Sequence, residues 1–206
     1  FRIMENDPEL EVVAINDLGD SSELAYLLKY DTNYGSYKVN EISFDENSLY
    51  VGNKKVNIFR CMDPKDLPWK DLGIYLVFEC SGKFTKYEDS YKHIEAGCKK
   101  VIISAPGKGN MKTIVYNVNH EILDGSEEVI SAASCTTNCL APVLKLIEDK
   151  FKIEKGFMTT VHAYTNDQVI LDVSHKKGIK ERRGRAGALN IIPTSTLSAI
   201  ALDPLI

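Results

Sequence analysis

Short apolar runs that alternate with amphipathic segments constrain the fold of this chain more than any other feature of its sequence. One such run ends at Asp17, and further runs cover residues 74–80 and 100–104. Continuous apolar runs of this length are typical of strands buried in a parallel sheet. Residues 21–29 and 85–98 are predicted to be helices, the second from apolar side chains three or four positions apart. This alternation predicts an α/β fold with a doubly wound parallel sheet.

Further patterns extend the predicted sheet. Residues 41–61 alternate apolar and polar side chains around Asn53, which predicts a β-hairpin. Residues 113–116 and 128–131 are predicted to be additional strands, and an apolar stripe at helical spacing follows from Leu140 onward. The chain shows no internal repeat and no low-complexity linker.

The composition is that of a globular protein and narrows the classes of partner. Of the 206 residues, 44% are hydrophobic and 26% are charged, which excludes a disordered or coiled-coil chain. Lysine and arginine total 25 against 29 acids, so we expect no nucleic-acid partner. No apolar run approaches the roughly 18 residues that a membrane span needs, so we expect no membrane partner. Five cysteines without paired spacing favour a reducing compartment, and we expect a cytoplasmic protein.

The strongest chemical signal is Cys135, within the segment Ser134-Cys135-Thr136-Thr137-Asn138-Cys139. It lies between a predicted strand and a helical apolar stripe, so we expect the thiol at a helix N-terminus. Unpaired backbone N–H groups and the helix dipole favour negative charge there, which lowers the pKa of a thiol and offers donors to an oxyanion. The alternative is an inert thiol. We expect buried, inert thiols at three other positions: Cys61, Cys80 and Cys98.

A nucleophilic cysteine usually needs a base, and His162 is the best placed of the four histidines. It follows the apolar run of residues 156–161, which we expect to be a strand. Polar groups at the carboxyl end of a strand often face a ligand crevice. A lone histidine with a structural role is the alternative.

Six basic side chains cluster within residues 176–185, shortly before the threonine-containing segment 190–196. Arginine forks and threonine hydroxyls suit phosphate, and the net charge of −4 favours a small anionic ligand over a nucleic acid. A solvated charged loop is the alternative interpretation.

Asp17 closes the first apolar run and bears on the cofactor. In dinucleotide-binding βαβ units, an acid about 20 residues beyond a glycine-rich loop hydrogen-bonds the adenosine ribose. The chain has no Gly-x-Gly-x-x-Gly segment, so we expect that loop upstream of Phe1, and further sequence after Ile206 as well. The alternative is that Asp17 only caps a turn before Gly19.

Three ordered segments, residues 134–142, 162–165 and 185–196, resemble the phosphorylating glyceraldehyde-3-phosphate dehydrogenases of glycolysis. Residues 14–18 resemble the same family. The resemblance implies an oxidoreductase that converts glyceraldehyde 3-phosphate to 1,3-bisphosphoglycerate with NAD and inorganic phosphate, and a homotetrameric assembly. It implies no metal site.

The resemblance also implies a domain organisation. Residues 1–134 would form an NAD-binding Rossmann domain that lacks its first strand and glycine loop. Residues 135–206 would form the first, incomplete part of an α+β catalytic domain. We therefore expect these 206 residues to be inactive by themselves.

Site residues follow from the resemblance, position by position. Cys135 would be the nucleophile and His162 its base. The positions implied for substrate or inorganic phosphate are Ser134, Thr136, Thr165, Arg183 and Thr196. The positions implied for the cofactor are Asn16, Asp17, Ser81, Gly82 and Ser104.

Two questions stay open at the level of sequence. The carboxylate of Asp17 would repel the 2′-phosphate of NADP and therefore favours NAD. The serine at position 174, in contrast, resembles the serine found there in family members that accept NADP. Leu197 stands where the family usually has glycine, beside the inorganic-phosphate position. The alternatives are therefore a sibling enzyme acting on another phosphorylated aldehyde, such as erythrose 4-phosphate, or a non-catalytic binding protein of the same fold.

Overall fold

The computed structural model describes residues 1–194, which divide into two compact units. The first unit combines Phe1–Lys112 with Ser126–Ile130, and the second combines Thr113–Gly125 with the chain from Ser131 onward. Within the described residues no helix is long and apolar enough to cross a membrane. The domain boundary at residues 134/135 stays a prediction.

The strands of residues 1–194 are short. In chain order they are β1 (Ala14–Asn16), β2 (Tyr30–Asp31), β3 (Gly35–Ser36), β4 (Ile42–Asp45), β5 (Ser48–Val51), β6 (Lys54–Phe59), β7 (Leu76–Glu79), β8 (Lys100–Ile103), β9 (Lys112–Thr113) and β10 (Val129–Ser131). The α-helices of the same residues are α1 (Arg2–Asn6), α2 (Ser21–Lys29), α3 (Tyr87–Glu95) and α4 (Cys135–Phe151).

These strands form two four-stranded sheets, in the orders β1-β6-β5-β4 and β7-β8-β10-β9, and β2 pairs with β3. Parallel pairing holds β1 to β6 and β7 to β8. The predicted α/β fold is therefore confirmed, but its strands divide between two sheets. The predicted hairpin is also confirmed, because β5 and β6 pair antiparallel around Gly52. Gly52 has a φ of +58°, a conformation that glycine adopts without steric cost.

Helix ends follow from local chemistry. The N-cap of α2 is Asp20, and the neighbouring Ser21 instead donates its hydroxyl hydrogen to the carbonyl of Glu46 at 2.8 Å. Helix α3 ends near Gly97, which has a φ of +113°. A Cβ at Gly97 would lie 2.7 Å from the Cα of Lys70, so only glycine allows this close approach.

Two apolar clusters stabilise the first unit. One joins α2 to the β4–β6 meander and includes the fully buried Leu49 and Val56. The other surrounds β8 and includes Val101, Ile103 and Trp69. Burial of such side chains contributes about 1.5–3 kcal/mol each, so these clusters hold the two sheets of the unit.

Buried Glu5 anchors helix α1 in the first unit. Its carboxylate accepts hydrogen bonds from Lys38 Nζ at 2.7 Å and from the Tyr37 hydroxyl at 2.5 Å, and it lies 3.2 Å from Lys54 Nζ. The hydrogen bonds from Lys38 and Tyr37 lower the pKa of Glu5 to about 2. The buried negative charge of Glu5 is thus compensated by two lysines and a hydroxyl donor.

The apolar run of residues 156–161 is not a strand, and this prediction was wrong. Phe157 and Val161 are fully exposed. No strand of residues 1–194 pairs with this run, so its backbone gains no ladder hydrogen bonds.

Candidate active site

A strained junction precedes the predicted nucleophile. Strand β10 ends at Ser131, and α4 begins at Cys135 with Ser134 as its N-cap. The Ser134 hydroxyl oxygen accepts the backbone N–H of Thr137 at 3.0 Å, which satisfies one of the four unpaired N–H groups at the helix start. Ala133 has a φ of +61°, which is costly for a residue with a Cβ. The predicted position of Cys135 at a helix N-terminus is confirmed.

Asn138 ties this junction together. Its side-chain amide donates to the carbonyl of Ala132 at 2.7 Å and to that of Ser134 at 2.9 Å. In the sequence, Asn138 stood out only as part of the segment around Cys135. Its role in closing the junction depends on side-chain bonds that no spacing rule reveals.

The thiol of Cys135 faces His162. The distance from Cys135 Sγ to His162 Nε2 is 3.4 Å. His162 Nδ1 lies 2.6 Å from the carbonyl oxygen of Ala163, and because a carbonyl only accepts, Nδ1 carries the proton. Nε2 is therefore left to accept the thiol proton, or to donate to the thiolate once the imidazole is protonated.

The two groups shift each other's titration. The hydrogen bond from His162 lowers the pKa of the Cys135 thiol, and bonds from the backbone and side chain of Thr136 lower it further. The Ala163 carbonyl, followed by the thiolate, raises the pKa of His162. Both shifts favour a thiolate–imidazolium pair, the reactive form of a nucleophilic cysteine.

The other cysteines differ from this one, and all five are free. Cys98 is buried, and its desolvation raises the pKa of the thiol to about 11, as an inert thiol requires. Cys61 is half-buried. Cys80 is exposed, so the prediction of a buried thiol was wrong there, because Cys80 follows the end of β7.

One of the two residues predicted for the substrate's phosphate, Arg183, contacts the carboxylate of Asp167. Arg183 NH1 is 3.2 Å from an oxygen of Asp167, and Lys177 Nζ is 2.7 Å from the same oxygen. The hydrogen bond from Lys177 lowers the pKa of Asp167. The backbone N–H of Thr165 donates to the Gln168 side chain at 3.2 Å. The sequence prediction missed Asp167, although an acid two positions beyond Thr165 was a usable signal.

The residues predicted for inorganic phosphate divide into two groups. Ser134 and Thr136 lie at the start of α4, where Ser134 caps the helix and Thr136 bonds to the Cys135 sulfur. Thr196 and Leu197 lie outside the described residues.

Two of the predicted cofactor residues follow strand β1. The side-chain amide of Asn16 donates to the Cys61 carbonyl at 3.0 Å and accepts the Cys61 N–H at 2.9 Å, so its polar atoms are engaged with backbone. One carboxylate oxygen of Asp17 accepts the Gly19 N–H at 2.8 Å. Within residues 1–194 the other oxygen has no protein partner. Asp17 therefore caps the turn before Gly19, and its role on the ribose stays a prediction.

The other three predicted cofactor residues follow the carboxyl ends of β7 and β8, and two of them bond to Glu79. Ser81 donates its backbone N–H to the Glu79 carboxylate at 2.7 Å, and its hydroxyl donates to the same oxygen. The backbone N–H of Ser104 donates to the Glu79 carbonyl at 3.0 Å. Gly82 has a φ of +68°. The carboxylate of Asp17 suits a pair of ribose hydroxyls, and the turn formed by Ser81 and Gly82 lies at the end of a strand. Both features fit a dinucleotide. Within residues 1–194 no cluster of three metal-ligating side chains occurs.

Comparisons with known proteins agree in both halves of the chain. Residues 1–87 match the family model described as glyceraldehyde 3-phosphate dehydrogenase, NAD binding domain. Residues 134–206 match the model described as the C-terminal domain of the same enzyme. Together the two models cover most of the chain and support a Rossmann-type domain followed by the start of a second domain.

Individual relatives carry the same name. Glyceraldehyde-3-phosphate dehydrogenases from Clostridium acetobutylicum and Clostridium pasteurianum are each 57% identical over 97% of this chain and 59% of their own length. A glyceraldehyde-3-phosphate dehydrogenase 1 from Bacillus cereus is 51% identical over 98% of this chain and 60% of its own. The chain thus spans about three fifths of these relatives. It belongs to the glyceraldehyde-3-phosphate dehydrogenase family, whose NAD-binding and C-terminal domain models it matches in order.

Proposed function

We propose that this chain serves the NAD-dependent oxidation and phosphorylation of glyceraldehyde 3-phosphate to 1,3-bisphosphoglycerate, the glycolytic reaction of a phosphorylating aldehyde dehydrogenase. The observation that carries the proposal is the 3.4 Å approach of Cys135 Sγ to His162 Nε2 at the start of α4. A thiolate in that position is a nucleophile suited to an aldehyde carbon.

The protein's own residues account for the covalent steps. The Cys135 thiolate adds to the aldehyde carbon, and the imidazolium of His162 donates its proton to the developing alkoxide, which gives a hemithioacetal. His162, now neutral, takes the hydroxyl proton back as hydride leaves the carbon, and a thioester remains on Cys135. Inorganic phosphate attacks the thioester carbonyl, and the C–S bond breaks to return the thiolate. Bound NAD would accept the hydride.

The proposed phosphate-binding roles follow from the positions of the basic side chains and of the start of α4. Arg183 and Thr165 would hold the phosphate of the substrate, supported by the basic side chains around Asp167. Ser134, Thr136 and Thr196 would bind inorganic phosphate beside the thiol. Backbone N–H groups at the start of α4 favour an anion at that position.

For the cofactor we propose NAD. Asp17 would bind its adenosine ribose, and the predicted residues near Glu79 would bind other parts of the dinucleotide. The negative charge of Asp17 opposes a 2′-phosphate, and Ser174 would allow some tolerance of NADP. Exposed apolar side chains at Ile170, Leu171 and Ile179 support assembly into a homotetramer. Five free cysteines support a cytoplasmic location.

The test is an assay of NADH formation from glyceraldehyde 3-phosphate with the full-length protein. We expect turnover only in the presence of inorganic phosphate or arsenate, and loss of turnover in Cys135→Ser. The matched control is Cys139→Ser, one helical turn further along α4, which should retain activity. Absence of activity, or equal activity in Cys135→Ser, would contradict the proposal. Residues 1–206 alone are expected not to turn over.

The same assay separates the alternatives. A kcat/KM that clearly favours erythrose 4-phosphate in a substrate panel would identify a sibling dehydrogenase. An ordinary Cys135 pKa of about 8.5 in a labelling titration, together with no turnover, would identify a binding protein without catalysis.

A further inference from the structure

A buried polar relay runs from Trp69 through His93 to Glu79. The indole N–H of Trp69 donates to His93 Nδ1 at 3.0 Å, and His93 Nε2 lies 3.1 Å from a Glu79 oxygen. Trp69 and His93 are each 4% exposed and Glu79 is 6% exposed. Polar groups this deeply buried are costly unless each finds a partner, so the arrangement is tightly specified.

The relay fixes the protonation of its histidine. An indole N–H only donates, so His93 Nδ1 must be an unprotonated acceptor. Nε2 therefore carries the hydrogen and donates it to the carboxylate of Glu79. Burial opposes ionisation of Glu79, but the hydrogen bonds from His93 and Ser81 outweigh it and hold the pKa of the carboxyl below its ordinary value. The Glu79 carboxylate thus accepts hydrogen bonds on both oxygens, one from His93 and the other from Ser81.

The other oxygen of Glu79 faces the loop that follows β7. It accepts both the backbone N–H and the hydroxyl hydrogen of Ser81. The Ser81 oxygen in turn accepts the backbone N–H of Lys83 at 3.1 Å. With its hydrogen engaged by Glu79, the Ser81 hydroxyl has only a lone pair left to offer a ligand.

We propose that Glu79, oriented by His93 and Trp69, is a positioning residue for the cofactor: it holds Ser81 so that its hydroxyl accepts a hydrogen bond from a hydroxyl or N–H donor of the bound dinucleotide. This inference deepens the proposed function and rests on it. Glu79 does not touch the cofactor. It acts through Ser81, and its backbone carbonyl also binds the N–H of Ser104.

The test is a double-mutant cycle on NAD affinity, measured by isothermal titration calorimetry with the full-length protein. Glu79→Gln should weaken NAD binding about tenfold, because the amide cannot satisfy both His93 and Ser81. Ser81→Ala should weaken it by a similar factor. In the Ser81→Ala background, Glu79→Gln should have little further effect, because the group that it positions is gone.

A matched control separates positioning from general damage. Glu5 has the same 6% exposure in the same unit and also accepts several donors, but it contacts none of the predicted cofactor residues. The effects of Glu5→Gln and Ser81→Ala on NAD affinity should therefore add. Hydrogen exchange at the Ser81 amide should speed up at least tenfold in Glu79→Gln and stay unchanged in Glu5→Gln.

A third variant covers the case in which Glu79→Gln does not fold. Trp69→Phe keeps an aromatic ring at this position and removes the N–H that fixes His93, together with part of the indole's buried volume. It should weaken NAD binding two- to fivefold in the wild-type background and not in Ser81→Ala.

The outcomes are distinguishable. If the unsubstituted protein does not bind NAD, the proposed function fails and this inference fails with it. If NAD binds but Glu79→Gln and Trp69→Phe cost as much in the Ser81→Ala background as in the wild type, only the positioning role is overturned.

Discussion

The two compact units hold their functional side chains in different ways. In the first unit, Ser81 is fixed by Glu79, a carboxylate that is itself buried against His93. In the second, Cys135 and His162 are both exposed and are held by bonds to each other and to the adjacent Ala163. In the first unit an exposed serine is thus held by a buried carboxylate, whereas in the second the two functional side chains and the bonds between them lie at the surface.

Because of this difference, we expect substitutions in the two units to affect different properties, fold stability in one and reactivity in the other. Substitutions in the buried relay should destabilise the fold, because they leave polar groups buried without partners. Substitutions at the exposed pair should remove reactivity and leave the fold intact, because exposed side chains contribute little to packing. Four predictions test this contrast, from the largest expected effect to the smallest.

Replacing the base is expected to have the largest effect. His162→Asn removes the proton acceptor 3.4 Å from the thiol, so kcat should fall by roughly 10³-fold, within the range for loss of a general base. The measurement is phosphate-dependent NADH formation, with thermal unfolding followed in parallel. A fall in kcat that came with a large loss of stability would break the contrast between the units.

Interrupting the relay is expected to cost stability. His93→Leu leaves the Trp69 N–H and the Glu79 carboxylate without their buried partner, which should destabilise the protein by about 2–4 kcal/mol. Urea unfolding followed by circular dichroism measures the change. Iodoacetamide labelling of Cys135 should proceed at the wild-type rate, and slower labelling would show that the two sites are coupled.

The pH dependence of Cys135 labelling sharpens the contrast further. Hydrogen bonding from His162 lowers the pKa of this thiol, so its thiolate persists below the ordinary value of about 8.5 and is lost only as the pH falls through the lowered pKa. In His162→Asn the midpoint should move up toward that ordinary value. Labelling is measured in a Cys80→Ser, Cys139→Ser background, because these are the two other exposed thiols. An unchanged midpoint would rule out His162 as the cause.

Removing the helix cap is expected to have the smallest effect. Ser134→Ala deletes the hydroxyl that accepts the Thr137 N–H at 3.0 Å, at a cost of about 1 kcal/mol. Chemical denaturation measures this change, and Ser134→Asn, which retains a capping acceptor, should recover most of it. Equal losses in both variants would show that capping is not the role of Ser134.

Some of this arrangement was predictable from the sequence. Apolar runs predicted the strands that became β1, β7 and β8, because burial of continuous apolar side chains is a local signal. The position of Cys135 at a helix start was predictable for the same reason, since the strand pattern stops just before it and the helical stripe follows. Pairing of the thiol with His162 followed from the resemblance.

What failed depended on partners distant in sequence. Residues 156–161 have a strand-like composition, but a strand exists only where another strand pairs with it. The role of Asn16 at the cofactor stays a prediction, but the bond from its amide to the backbone of Cys61, 45 positions away, left no signal in the sequence. The relay left one faint signal, the acid Glu79 inside an otherwise apolar run. Its partner His93 could not be assigned from spacing, because helix and strand meet only in three dimensions.

The buried position of Trp69 in the relay determines which part of the chain its fluorescence monitors. Trp69 is the sole tryptophan of the chain, and its indole lies buried in the first unit with its N–H bonded to His93. Tryptophan emission from residues 1–206 therefore originates entirely in the first unit. An unfolding curve followed by that emission describes the first unit, and events at Cys135 need a separate label to be seen.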